Sequence, residues 1–209
     1  MLTDQSLSRF TAELAGRAPV PGGGGAAALM GALAVSLCAM AGNLTVGKKK
    51  YAAYEADQKR MIDRAEALRA RFLALIEADA EAFEPLSRAY SLPKDAPDYA
   101  ETMTAATLRA ARAPFDMLAC CAEAIGLLEE MLPKCSRLMV SDVGCGALAA
   151  EAAMRAAWLN VIINTRSLPE NPEAASLERE GAALLETWLP RARAVSEEVT
   201  AMLRRESHG

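Results

Sequence analysis

The stretch GAAALMGALAVSLCAMAGNLTV, residues 25–46, decides the class of fold because it contains no charged residue and is dominated by alanine. Alanine is the best helix former, and small side chains let neighbouring helices approach closely. A helix that is apolar on every side belongs in a protein core or in a membrane. Ser36, Asn43 and Thr45 favour the core, so the stretch predicts a buried central helix. A membrane-associated helical protein is the alternative.

The rest of the chain shows helical spacing of its apolar residues and little of the alternation that strands require. Pro85 and Pro190 are expected to kink their helices, and Pro114 is expected to divide one. Thr3 or Asp4 is the expected cap of the first helix. The sequence predicts an all-α protein in a single domain over residues 1–209, a multi-helix bundle in which long, kinked amphipathic helices surround the central one. The predicted outer helical regions are 3–16, 52–91, 99–132, 141–166 and 173–206.

Charge and cysteine content narrow the class of function. The net charge of −4 argues against a nucleic-acid-binding protein. The chain has five cysteines and no CxxC pair, which is typical of a reduced chain whose cysteines are small core residues. The N-terminus lacks the basic and then apolar pattern of a signal peptide. We therefore expect a cytoplasmic protein that binds neither nucleic acid nor membrane.

The only histidine, His208, is next to the last residue, where ordering is least expected. Catalysis by a histidine base and metal binding by histidine are therefore disfavoured, and we expect no metal site. If the protein is an enzyme, proton transfer falls to Asp, Glu, Lys, Tyr or Cys.

Two polar segments flank the central helix. The turn before it offers bare backbone N–H groups and a helix N-terminus, which suit a polar or anionic ligand, although glycines also permit tight helix packing. The segment after it contains three of the six lysines of the chain, which suit anion binding or catalysis, although a solvated run near a helix end is the simpler reading. The residues concerned are Pro21, Gly22, Gly23, Gly24 and Gly25 on one side and Lys48, Lys49 and Lys50 on the other.

Asp79 is the strongest single candidate because it shares the helical phase of apolar residues such as Phe72, Phe83 and Leu86. A carboxylate that points toward a core must meet a cation, accept several hydrogen bonds or hold a proton at a raised pKa. One of the three lysines is the natural partner, and a purely structural salt bridge is the alternative.

Polar residues also occur in the predicted helix over 141–166. Asn160 and Asn164 lie four residues apart and hence on one helix face. Their amides can form hydrogen bonds with the donors and acceptors of a heterocycle, or they can pair with free backbone groups at helix ends. Ser141 or Asp142 is an expected helix cap.

Five motifs, in order and across nearly the whole chain, resemble the cyclodeaminase/cyclohydrolase family, which includes the C-terminal domain of formiminotransferase-cyclodeaminase and stand-alone methenyltetrahydrofolate cyclohydrolases. They are PVPGGGGAAA at 19–28, NLTVGKKKY at 43–51, DAEAF at 79–83, SDVGCGALAAEAA at 141–153 and LNVIIN at 159–164.

The resemblance implies an all-helical fold and tetrahydrofolate substrates with or without polyglutamate tails. It also implies a homodimer or dimer-based oligomer, with no cofactor or metal beyond the folate. Cyclodeaminase members often carry serine where this chain has Gly25, so the resemblance favours a cyclohydrolase that converts 5,10-methenyltetrahydrofolate and water to 10-formyltetrahydrofolate. Formimidoyltetrahydrofolate cyclodeaminase and a non-catalytic folate-binding module are the alternatives.

The resemblance also suggests roles for residues. Asp79 and one of the three lysines would form the acid–base pair around the one-carbon unit, and the other lysines would bind the glutamate tail. The glycine turn and Asn43 would line the pterin or the neighbouring ring. Further substrate contacts would come from Pro21, Tyr51, Asp142, Asn160 and Asn164.

Overall fold

The computed structural model describes residues 1–206, which contain helices and no strand. Short 3₁₀ turns precede α1, follow the corner after α2 and join α4 to α5. The all-α prediction is confirmed, whereas the single-domain organisation over 1–209 stays a prediction. The helices are α1 (Leu7–Leu14), α2 (Gly23–Asn43), α3 (Glu55–Ala89), α4 (Tyr99–Met131), α5 (Val140–Thr165) and α6 (Pro172–Glu206).

Helix α2 is the central helix that the sequence predicts, and it packs against α3, α4 and α5. Close packing requires its small residues: a Cβ added at Gly31 would lie 2.3 Å from Cε1 of Phe72, a fully buried ring on α3. Near the two ends of α2, Gly24 meets Asp79 and Gly42 meets Ile62, so α3 runs antiparallel to α2. Helix α5 is antiparallel to α2 as well, and it therefore runs in the same direction as α3.

Both ends of α2 are displaced from the prediction of 25–46. The helix begins at Gly23 because Gly22 is extended and serves as its N-cap. It ends at Asn43, where the chain enters a turn in which the N–H groups of Thr45 and Val46 both donate to the carbonyl of Gly42. The hydroxyl of Thr45 donates to the carbonyl of Ala41 at 2.6 Å and accepts from the N–H of Ser136 at 2.8 Å. This anchors the corner after α2 to the segment before α5.

The predicted start of the first helix and its cap are wrong. Thr3 is held by Glu77, which accepts from its N–H at 2.9 Å and from its hydroxyl at 3.0 Å. Helix α1 begins later, at Leu7, and the Ser6 hydroxyl caps it by accepting from the N–H of Arg9 at 3.2 Å.

Two further predictions of helix boundaries are wrong. Pro114 does not divide the region 99–132, because α4 continues through this buried proline, and core packing offsets the hydrogen bond that proline cannot make. Neither Ser141 nor Asp142 caps α5. The 3₁₀ turn Arg137–Met139 leads directly into the helix at Val140, so Asp142 lies within its first turn.

Two helices in the described part of the chain are long and apolar enough to cross a membrane by length and composition. One is α2, and the other is α5 together with the 3₁₀ turn before it. In the most apolar window of α2, 61% of the residues are buried inside the fold. Helix α2 therefore has the composition of a membrane span and the position of a core helix.

Candidate active site

The carboxylate of Asp79 lies directly against the start of α2. A Cβ added at Gly24 would be 2.2 Å from Oδ1 of Asp79, so only glycine leaves room for the carboxylate at this point. The backbone N–H of Gly25 donates a hydrogen bond to that carboxylate. The glycine turn and Asp79, which the sequence connected only through a resemblance, are therefore in contact.

The environment of Asp79 makes its carboxyl a weaker acid than an exposed aspartate. Burial raises the pKa of the half-buried Asp79 carboxyl above its ordinary value, and the hydrogen bond from Gly25 partly opposes this effect. Within residues 1–206, no lysine or arginine forms a salt bridge with Asp79. A carboxyl with a raised pKa and no cation beside it is suited to exchanging protons.

The two asparagines of α5 form the facing wall. Asn160 donates to the carbonyl of Ala156 at 2.8 Å, and Asn164 donates to that of Asn160 at 2.8 Å. These bonds occupy the amide nitrogens, so the two amide oxygens remain as acceptors without a partner among residues 1–206. A Cβ added at Gly23 would lie 3.2 Å from the Asn160 amide, so this wall also packs tightly against the glycine turn.

Together these groups line a cavity of about 370 Å³ at the N-terminal end of α2. We call its inner end, at Gly24, Asp79 and Asn160, the floor, because Asp79 and Asn160 are half-buried. Helices α3 and α5 continue beyond the start of α2 as its walls. Its outer end, the rim, contains Tyr90, which is 63% exposed, and Arg166, which is also exposed. The remaining lining includes Pro19, Val20, Gly22, Phe83, Leu86, Ala110, Ile163 and Asn164.

The three lysines lie at the opposite end of α2 and are exposed. The Nζ atom of Lys48 donates to the Ser136 hydroxyl at 3.2 Å, and Lys50 lies 5.7 Å from the centre of the Tyr51 ring. The Tyr51 hydroxyl accepts from the N–H of Arg137 at 3.1 Å. Because α2 has 21 residues and rises 1.5 Å per residue, these lysines are about 30 Å from Asp79 of the same chain.

The predicted site residues therefore separate into two clusters within one subunit. The floor cluster contains Asp79 with most of the glycine turn and the two asparagines. The second, which we call the lysine cluster, contains Asn43, Lys48, Lys49, Lys50, Tyr51 and Asp142. Asn43 ends α2 and Asp142 begins α5, so neither reaches the cavity of its own chain. Pro21 and Gly25 pack beside the floor without lining the cavity: a Cβ on Gly25 would lie 3.4 Å from Cβ of Pro21.

Eight residues that line the cavity were not predicted from the sequence, and they include Phe83, Tyr90, Ile163 and Arg166. Phe83 shares the face of Asp79, but periodicity assigns such a ring to the core. It enters the cavity because α3 continues past the N-terminus of α2. Arg166 gave no distinct signal, since an arginine at a helix end usually serves the helix dipole.

A larger groove, of about 540 Å³, lies between α5 and α6 and is lined mainly by apolar surface. It contains Cys145, the exposed one of the five free cysteines, so the expectation that all the cysteines lie in the core is wrong for Cys145. The four others are buried, and burial raises the pKa of the Cys38 thiol to about 12. The smaller cavity is the better candidate site because a perturbed carboxyl, two amides and bare backbone converge there.

Metal-binding chemistry finds no support in the described part of the chain, residues 1–206, where no group of three or more His, Cys, Asp or Glu residues could hold a metal ion. His208 lies outside the described residues. The absence of a metal from the reaction stays a prediction.

Replacing Gly24 by Ala is expected to lower kcat/KM at least 100-fold, because the new methyl group would occupy the position of the Asp79 carboxylate. The matched control is Gly25→Ala, whose Cβ would meet its nearest neighbours at ordinary contact distances. Steady-state kinetics and circular dichroism of both variants test this. Equal kcat/KM for the two variants would contradict the assignment of Gly24 and Asp79 to the site.

The fold and the cavity define a class: an all-helical protein with an acid–base site for a small molecule, built from one carboxyl, paired amides and a glycine turn. The chain belongs to the formiminotransferase-cyclodeaminase family, whose sequence pattern matches residues 6–183. The predicted family is thereby confirmed.

Three relatives illustrate the match. The chain is 38% identical to methenyltetrahydrofolate cyclohydrolase of Methylorubrum extorquens over 88% of its own length and 91% of that protein. It is 30% identical to formimidoyltransferase-cyclodeaminase of Sus scrofa, again over 88% of the chain but only 35% of that longer protein. The crystal structure of formiminotetrahydrofolate cyclodeaminase from Thermotoga maritima superposes with a TM-score of 0.84 at 26% identity, covering 96% of this chain and all of that one.

Proposed function

We propose that the protein is a folate one-carbon enzyme, a methenyltetrahydrofolate cyclohydrolase that converts 5,10-methenyltetrahydrofolate and water to 10-formyltetrahydrofolate. The observation that carries this proposal is the half-buried Asp79 carboxyl on the floor of the cavity, which has a raised pKa and no salt bridge with a lysine or arginine among residues 1–206. The relative that shares 38% identity over 91% of its own length carries the same activity in its name.

The reaction requires proton transfers around one carbon, and Asp79 is placed to perform them. In the substrate, this carbon joins N5 and N10 as a delocalised cation. Asp79 accepts a proton as the oxygen of water bonds to the carbon, which becomes tetrahedral. Protonated Asp79 then returns that proton to N5 as the carbon–N5 bond breaks. The hydroxyl proton leaves to a second base, for which we propose a lysine, and the formyl group remains on N10.

The alternative activity is that of formimidoyltetrahydrofolate cyclodeaminase, in which N10 attacks a formimino carbon and ammonia leaves. The fold match to the Thermotoga maritima cyclodeaminase favours this candidate. Both reactions pass through a tetrahedral carbon between heteroatoms, so the same carboxyl serves either one. A folate-binding module without turnover is the third possibility.

We also propose that the working unit is a homodimer, because α2 and α5 expose an apolar face. We call this surface the α2–α5 face and define it by Leu33, Met40, Leu44, Leu148, Leu159 and Ile163. Leu33 is 52% and Leu159 is 66% exposed, and α4 packs behind both helices, so the face points away from the core. Contiguous exposed apolar surface is typical of an interface.

A symmetric dimer through this face would bring the two clusters of predicted residues together. Gly24 lies 12 residues before Ser36 and Lys48 lies 12 residues after it. A two-fold axis passing near Ser36 would therefore place the lysine cluster of one subunit beside the floor of its partner, about 18 Å from the axis in each direction. Ile163 belongs both to the face and to the cavity lining, so the two surfaces are continuous.

This arrangement would bring an amine beside Asp79, with which no lysine or arginine among residues 1–206 of its own chain forms a salt bridge. One lysine of the partner subunit would complete the acid–base pair, and Asn43, Tyr51 and Asp142 of that subunit would approach the substrate. We further propose a reaction without metal and a cytoplasmic location, and the five free cysteines support the latter.

Side-by-side assays test the proposed activity. We expect the purified protein to hydrolyse 5,10-methenyltetrahydrofolate, followed by loss of its chromophore, and to release little ammonia from 5-formiminotetrahydrofolate. A chelator in the first assay should leave the rate unchanged. Ammonia release without hydrolysis would select the cyclodeaminase, and tight folate binding without either reaction would select the binding module.

A further inference from the structure

The position of Arg166 supports an inference about how the site binds its substrate, and this inference rests on the proposed function. The side chains that line the cavity include two charged ones in the described chain, Asp79 at the floor and Arg166 at the rim. Arg166 follows α5 as its C-cap residue and is exposed. Its guanidinium makes no salt bridge with any residue from 1 to 206, whereas Arg60, Arg64 and Arg191, for example, each bind a carboxylate.

The surface between the two charges is apolar and elongated. Along α3, Phe83, Leu86 and Tyr90 follow Asp79 at intervals that keep them on one helix face. Asp79 and Tyr90 are 11 residues apart, which corresponds to about 16 Å along the helix. On the opposite wall, Ile163 lies between the two asparagines, and Arg166 follows them toward the rim. The cavity therefore presents polar groups at the floor, apolar and aromatic surface along its length and a cation at the rim.

A ligand that complements this order has a polar heterocycle at one end, an aromatic segment in the middle and an anion at the other end. A reduced folate has this order, with its one-carbon unit beside the pterin, then a benzoyl ring and then the carboxylates of glutamate. Arginine suits such an anion because its planar guanidinium can donate two parallel hydrogen bonds to one carboxylate.

We propose that Arg166 binds a carboxylate of the glutamate tail and that the substrate lies with its one-carbon unit at Asp79 and its benzoyl ring against Phe83 and Leu86. From the sequence alone, the lysines were expected to bind the glutamate tail. In one subunit those lysines are about 30 Å from the floor, whereas Arg166 lines the cavity itself. Arg166 is thus a substrate-binding residue and takes no part in the proton transfers.

The test compares two substrates, 5,10-methenyltetrahydrofolate and the same molecule without its glutamate. For Arg166→Ala we expect KM to rise at least 10-fold with the first substrate and to equal that of the parent protein with the second. Arg166→Lys should recover part of the loss because it keeps the charge. The matched control is Arg179→Ala on α6, which removes an exposed arginine from a helix that does not line the cavity and should change neither value.

Two results would overturn this inference: an unchanged KM for both substrates in Arg166→Ala, or an equal rise for both, which would indicate a structural role. If the parent protein shows no turnover, the proposed activity fails, and calorimetric titration with both compounds tests the inference separately. Weaker binding of only the glutamate-bearing compound by Arg166→Ala would support it, and equal binding by variant and parent would refute it.

Discussion

Replacing Asp79 by Asn is expected to reduce kcat for methenyltetrahydrofolate hydrolysis by about 10²- to 10⁴-fold, the usual contribution of a positioned acid–base group. Asparagine has nearly the same shape and keeps an oxygen that can accept the hydrogen bond from the N–H of Gly25. The variant therefore preserves the cavity and removes only the ability to take and return a proton. Stopped-flow or steady-state absorbance at the methenyl chromophore measures the loss.

On the Leu33→Glu background, which is expected to be monomeric and so to keep the lysines of a partner away from Asp79, the same substitution is expected to leave the protein at least as stable as its parent at neutral pH. Burial raises the pKa of Asp79 in the folded state, so the folded protein binds more protons than the unfolded chain between the ordinary pKa of 3.8 and the raised one. The stability of the parent therefore falls as the pH rises through this window. The advantage of Asp79→Asn in thermal unfolding should be full above the raised pKa and should narrow as the pH falls toward 3.8.

Asp116→Asn is the matched control for this experiment. Asp116 is another carboxyl whose pKa burial raises, but it lies on α4 in a separate groove beside Arg71 and Cys120. Its replacement should leave kcat unchanged. An Asp79→Asn protein that folds normally and turns over at the parent rate would refute the role of Asp79.

Replacing Lys48, Lys49 and Lys50 together by Ala is expected to reduce kcat by a similar factor, about 10²- to 10⁴-fold. Within one subunit these residues are about 30 Å from Asp79, so direct contact inside a single chain cannot explain a loss of this size in a variant that keeps the circular dichroism spectrum of its parent. The dimer through the α2–α5 face explains it by placing the lysines beside the floor of the partner subunit. The control is Lys59→Ala, which removes an exposed lysine paired with Glu55 on α3.

The interface can be tested independently of the lysines. Leu33→Glu places a charge on the α2–α5 face and is expected to give a monomer with little activity, as measured by sedimentation velocity and kinetics. Leu7→Glu changes a similarly exposed leucine on α1 and should leave both properties unchanged. A parent protein that is monomeric and fully active would refute the dimer, and one that partitions into lipid vesicles instead would favour a membrane as the occupant of this face.

The sequence predicted the central helix well because its pattern is local: a charge-free, alanine-rich stretch has few alternatives. Its N-terminal end was missed because the glycine run itself provides the cap at Gly22, and its C-terminal end was missed because a distant residue, Ser136, anchors the corner at Thr45. The start of α1 was missed for the same reason, since Glu77 holds Thr3. Pro114 led to a wrong prediction because the local propensity of proline favours a break, whereas packing of the buried face keeps α4 continuous.

The candidate site followed a similar rule. Asp79 stood out because a carboxylate in an apolar phase must be compensated, and the glycine turn stood out by composition. The sequence did not indicate that the three lysines lie a full helix length from Asp79 in the same subunit. Their motif follows the glycine turn closely in the motif order, but α2 lies between the two. Arg166 was not predicted as a site residue because nothing in its local pattern distinguishes a ligand-binding arginine from one that caps a helix.

Mixing two inactive proteins tests the shared site most directly. One subunit carries Asp79→Asn and the other carries Ala at positions 48, 49 and 50. If each site combines Asp79 of one chain with the lysines of the other, every mixed dimer contains one intact site. Random exchange should then restore activity to about a quarter of the parent value. A mixture that demonstrably forms mixed dimers and yet stays as inactive as its components would contradict the account.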